Sequence, residues 1–148
     1  MGKPLMKVQQ MPKLVWDDSY STKIKLFDEQ HEVIFTYIND LRDAMMGKKS
    51  EEIVNRTLMG LLEYSVTHFI DEEIILLKND YPDFQNHQSS HEKFTEEVRR
   101  LFVEYKAGKA NSRIMAAEIT AVVTEWLQVH ILKEDMEYAE FLKAKGIK

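Results

Sequence analysis

The chain has 148 residues and contains no cysteine. Without thiols there is no disulfide, no iron–sulfur cluster and no thiolate metal site. Proline and glycine are sparse, at three and five. Gly47, Pro82 and Gly108 fall at breaks between long periodic stretches. Alternating β-branched runs and hairpin signals do not occur, which excludes an all-β reading. No run approaches the ~18 apolar residues of a membrane span. The opening residues, MGKPLMKVQQMPKLVW, lack the apolar core of a secretory signal, so a cytoplasmic location is expected. Positive charge is also in deficit: 20 Lys and Arg stand against 25 Asp and Glu, a net charge of −5. That balance argues against nucleic acid as a partner. What remains is 44% hydrophobic and long enough for one domain with a real core.

Apolar residues recur at steps of three and four along four segments. The first segment, from about Ser21 or Asp28 to Met46, carries the stripe Phe27, His31, Ile34, Phe35, Ile38, Leu41, Met45. The second begins near Ser50 and carries Val54, Leu58, Leu61, Ser65, His68, Glu72, Leu76. The third, about Asp83 to Tyr105, carries Phe84, His87, His91, Phe94, Val98, Leu101, Phe102, Tyr105. The fourth, capped by Asn111 or Ser112, carries Ala116, Ile119, Val123, Trp126, Leu127, His130 and continues toward Lys143. Four helices with short connections predict an all-α, up-down-up-down four-helix bundle. Residues 1–15 read as an N-terminal arm and residues 16–148 as the bundle. Trp16 and Tyr20 are expected to pack on the body, as a plug over one end or as a lid over a buried site. Gly60, inside the second helix, costs helix stability and points to a close approach by a neighbour.

The stripes turn polar at one level. His68 and Glu72 stand four residues apart, as do His87 and His91, so each pair projects from one face of its helix. His31 lies early in the first helix and His130 late in the fourth. Antiparallel topology brings all five histidines to the same end of the bundle. Each alone is more plausibly a core histidine with one hydrogen bond, but together they predict a metal site. The donor set is too rich in nitrogen for Mg²⁺ or Ca²⁺ and too large for one four-coordinate zinc. Two metals bridged by carboxylates fit better. No Glu-x-x-His occurs, so the site is not of the ferritin type.

Four motifs carry a family resemblance: DEQH at Asp28–His31, HFIDE at His68–Glu72, HQSSHEKF at His87–Phe94 and WLQVHILKED at Trp126–Asp135. Together they resemble the hemerythrins, of the single-domain bacterial kind, from Trp16 to about Lys143. The resemblance implies a non-haem centre of two iron ions bridged by oxygen. It implies that His87, His91 and His130 hold one iron, while His31 and His68 hold the other and leave a position open. Glu72 and Asp135 would bridge the pair, along with a solvent-derived oxygen. Ile34, Phe69, Trp126, Leu127 and Ile131 match the family's apolar pocket around bound gas. Dioxygen is then the ligand, bound reversibly by a carrier or local store that is a monomer and not an enzyme. An oxygen or redox sensor, a di-iron enzyme consuming peroxide and a metal-storage protein are the alternatives. At one position resemblance and spacing disagree. On a straight α-helix Glu134 falls one turn beyond His130, whereas Asp135 is rotated away by about 140°. The resemblance selects Asp135 and leaves Glu134 as a solvated charge.

Overall fold

Four long amphipathic stretches, each turned back by a short connection, set the architecture of the computed structural model, which describes residues 13–148. Most of the expected arm, residues 1–12, lies outside the described residues. Helix α1 spans Lys25–Met45, α2 Ser50–Lys78 and α3 Phe84–Lys106. The fourth rod is continuous but composite: α4, Ser112–Glu125, runs into a π-helical segment, Trp126–Glu134, and then α5, Asp135–Ala144. Helix α1 packs on α2 and α4, and α3 packs on α2 and α4. This is the four-helix bundle expected of the pattern, with no strand among the described residues.

Local chemistry sets the ends of the rods. Asp28 reaches back from the first turn of α1, where its carboxylate accepts from the Thr22 N–H at 2.8 Å and from the Ser21 and Thr22 hydroxyls. Gly47, at φ +85°, gives α1 the left-handed exit that L side chains resist. The Asn111 side chain caps α4 by accepting from the Ile114 N–H at 2.9 Å. Gly60 has a specific reason too: a Cβ there would stand 1.9 Å from the Tyr37 hydroxyl, so the phenol of α1 lies directly on the α2 backbone. Trp16 and Tyr20 pack edge-on against Phe35, and Asn39 pairs with the backbone of Leu14. Residues 14–20 therefore run along α1.

The buried apolar residues divide into two clusters. The larger includes Ile34, Leu41, Leu58, Phe69, Val98, Ile119 and Ile131. The smaller gathers Ile24, Phe27, Leu76, Tyr138, Ala139 and Leu142. On α1 the sequence between the clusters holds His31, on α2 it holds Glu72, and on the fourth rod it holds Asp135. The polar level is thus a layer between two apolar ones. No helix of the described residues is long and apolar enough to cross a membrane.

Candidate metal centre

All seven residues expected at the site are buried: His31, His68, Glu72 and Asp135 are fully so, and His87, His91 and His130 nearly so. Five imidazoles and two carboxylates in an apolar interior carry a large desolvation cost unless something compensates. They converge as two groups. Glu72, His87, His91 and His130 form one, and His31, His68, Glu72 and Asp135 form the other; within each, one donor atom per residue lies within 4.8 Å of the rest.

The carboxylates divide themselves between the groups. Glu72 Oε1 faces His87 and lies 3.1 Å from His91 Nε2, while Oε2 lies 3.0 Å from His68 Nε2. Asp135 Oδ1 lies 2.9 Å from His130 Nε2 and 3.2 Å from His87 Nε2, while Oδ2 lies 3.0 Å from His31 Nε2. Yet both Asp135 oxygens and the Nε2 atoms of His31, His68 and His130 make no hydrogen bond. The atoms are close but do not point at one another. Donors about 2.1 Å from a shared ion and at right angles stand about 3.0 Å apart, so this spacing with this misalignment suits lone pairs aimed at common centres. The residues present therefore fit a pair of metal ions.

Charge gives the same answer. Burial alone would push the Glu72 carboxyl up, but His68, His87 and His91 hold it well below the usual carboxylate range. Burial and the Glu72 charge likewise push Asp135 up, and His130 and His31 more than reverse this. Burial disfavours charge on His87 and His130, yet the carboxylates raise them to about 10 and about 8. His68 goes the other way, lowered by burial against the attraction of Glu72. Protons on His87 and His130 would supply the positive charge that bound cations supply.

Further side chains hold the imidazoles at their outer nitrogens. His68 Nδ1 pairs with Gln30 Oε1, and Gln30 Nε2 donates to Asp71 at 2.9 Å. His91 Nδ1 pairs with Glu73 at 3.0 Å, and Gln88 donates to the same carboxylate. His130 Nδ1 pairs with Glu134 at 2.8 Å. The Tyr138 hydroxyl donates to Glu72 Oε2 at 2.9 Å. Such partners fix ring tautomer and orientation. Glu134 is therefore not the plain solvated charge expected of it; its place one turn beyond His130 was the signal. Gln30 and Glu73 act across helices, and spacing along one helix cannot reveal them.

The π segment resolves the disagreement over Asp135. The Asp135 N–H bonds to the His130 carbonyl, five residues back. In a π-helix residue i+5 stacks where residue i+4 would in an α-helix. Asp135 is thus returned to the face of His130, and Glu134 is displaced to its flank.

Ile34, Phe69, Trp126, Leu127 and Ile131 are all buried in the larger apolar cluster. Phe69 stacks on the His91 ring with centroids 3.9 Å apart, and Trp126 stacks on His130 at 3.8 Å. Those two rings thus lie against the three-histidine group.

A four-helix bundle whose interior binds five imidazoles and two shared carboxylates into two adjoining clusters is a histidine-rich protein with a candidate dinuclear metal site. Comparison with known proteins makes the class specific. The model of the hemerythrin HHE cation-binding domain matches residues 22–142, and the chain belongs to the hemerythrin family. It is 31% identical to the bacteriohemerythrin of Pseudomonas aeruginosa over 90% of this chain and 84% of that one. It is 33% identical to the bacteriohemerythrin of Methylococcus capsulatus over 90% of this chain and all of that one. The crystal structure of a hemerythrin point variant superimposes with a TM-score of 0.74 at 30% identity, covering 88% of this chain and 97% of that one. The histidine and carboxylate clusters fit a di-iron oxygen-binding protein of this family.

Proposed function

We propose that the chain binds dioxygen reversibly at a non-haem di-iron centre and serves as a carrier or local store, without enzymatic turnover. His87, His91 and His130 would hold one iron and His31 and His68 the other, with Glu72 and Asp135 offering an oxygen to each. The observation that carries this reading is the division of each carboxylate between two unequal histidine groups. Three nitrogens and two carboxylate oxygens occupy five positions of one ion, and two nitrogens and two oxygens occupy four of the other. The His31–His68 group therefore offers one protein donor fewer, and an ion held there would be the one with room for a small ligand such as dioxygen.

The chemistry a di-iron pair supplies when bound is reversible two-electron exchange with dioxygen. The chain's own residues confine it. Gln30, Glu73 and Glu134 hold three imidazoles in orientation, and Tyr138 holds Glu72. Ile34, Leu127 and Ile131 keep water from the open side, because buried aliphatic walls offer it no hydrogen bond. Metal analysis should give one iron per group, about two per chain. The reduced protein should gain a visible band in air and lose it under argon, repeatedly. One zinc per chain from iron-replete medium, or bleaching in air with no reversible band, would overturn the proposal.

A further inference from the structure

One residue of the larger apolar cluster carries a hydroxyl beside a histidine of the site. Tyr64, one turn before His68 on α2, is buried, and its ring lies nearly parallel to the His68 imidazole, with centroids 4.7 Å apart and planes at 19°. Phe69 and Phe94 meet it edge-on. The Tyr64 hydroxyl has no hydrogen-bond partner, and neither has the Trp126 indole N–H. These two groups face each other without closing a regular bond. Trp126 itself stacks on His130. The phenol and the indole therefore span the floor of the centre, one beneath each histidine group.

An unpaired buried hydroxyl costs free energy that phenylalanine would avoid, so packing does not account for this one. The direction of its hydrogen follows from what each neighbouring group can donate or accept. An indole N–H can only donate, so toward Trp126 the phenol can only accept. Its own O–H is left for something else. The rings packed against it are those of His68, Phe69 and Phe94.

We propose that Tyr64 is a ligand-binding residue of this centre, whose hydroxyl donates a hydrogen bond to the outer atom of a small ligand held on the His31–His68 side. The ligand class is dioxygen and short linear anions such as azide, which carry negative charge at the end remote from the metal. The proposal rests on the di-iron reading above. A donor placed there strengthens binding of ligands that gain negative charge and slows their release.

The test is Tyr64→Phe in the full chain, with four readouts: iron per chain, thermal midpoint of the metal-free form, azide affinity of the oxidised form and rate of dioxygen release. The expected result is unchanged iron, a metal-free midpoint that is unchanged or higher, azide binding weaker by about tenfold and faster release. Unchanged azide affinity and release with iron intact would overturn the proposal. A lower metal-free midpoint, or a variant that fails to fold, would also overturn it by making Tyr64 a structural residue. A wild-type chain that takes up no iron would instead defeat the di-iron reading, so the two failures are told apart.

Discussion

Leu127 shows how one side chain serves packing and chemistry together. It is buried in the larger cluster, three residues before His130. Leu127→Ala removes most of a buried side chain, a change that costs roughly 2–4 kcal/mol and leaves a cavity. If Leu127 shields the open side, the cavity admits water and the oxygenated form decays faster. Following the oxygenated spectrum in air checks this, and an unchanged decay in a folded, iron-loaded variant would make Leu127 plain core. The five histidines and Glu72 could be singled out in the sequence because each interrupts an apolar stripe, and a buried polar group in a stripe needs a reason; Asp135 lies off the straight-helix stripe and came from the family resemblance alone. Gln30 and Glu73 gave no such sign. They stand beside His31 and Glu72 in sequence but serve His68 and His91 on other helices. Tyr64 was hidden for the opposite reason: an aromatic in a core position looks like packing, and only its unpaired hydroxyl separates it from one.

Among the elements, the π segment decides the chemistry of the fourth rod. Straight-helix geometry chose Glu134 and the family pattern chose Asp135, and the structure gives each a different position. Asp135 lies among the donor atoms, and Glu134 holds the outer nitrogen of His130. Asp135→Ala should therefore lose the di-iron centre. Glu134→Ala should keep it with weaker metal retention, by about 10- to 100-fold, as measured by the rate of iron transfer to a chelator. Loss of the centre in Glu134→Ala alone would reverse the assignment. The π segment was not legible because its residues, WLQVHILKE, follow an ordinary helical pattern. A second element-level case is the contact between α1 and α2. Gly60→Ala would gain roughly 1 kcal/mol of helix propensity but drive a methyl into the Tyr37 phenol. The substitution should destabilise the wild type and stabilise a Tyr37→Ala background, and thermal melts of the four proteins measure that coupling. The sequence marked Gly60 as a close approach without naming the partner, since Tyr37 is half-exposed and off the α1 stripe.

For the molecule as a whole, the metal-free form should show the charge demand of the site as a pH dependence. His87 and His130 rise from 6.5 to about 10 and about 8 in the folded chain. Their contribution is complete below pH 6.5 and fades as pH climbs through those folded values. Glu72 and Asp135 are depressed, so their contribution is present above the ordinary carboxylate range and is lost on acidification. His68, lowered by burial, opposes its neighbours only as pH falls below 6.5. The metal-free chain should melt at a higher temperature at pH 6 than at pH 9. Iron loading near pH 7 should release protons from His87 and His130, because only neutral imidazole ligates. A metal-free melting temperature that rises from pH 6 to pH 9 would contradict this balance. Bundle topology, helix order and the level of the site were all readable from periodicity, since burial repeats with the helix. The site is also a layer between two apolar clusters, and that has a kinetic consequence. Helix α5 packs through Tyr138, Ala139 and Leu142 into the smaller cluster, and Tyr138 ties it to Glu72 and Phe27. The end of the bundle beyond the site should thus open as a unit of its own, with an ease that depends on whether the layer is cross-linked. Amide hydrogen exchange in residues 136–144 should report metal occupancy, fast when the centre is stripped and slow when it is filled, while amides around Leu58 and Ile119 keep one rate throughout.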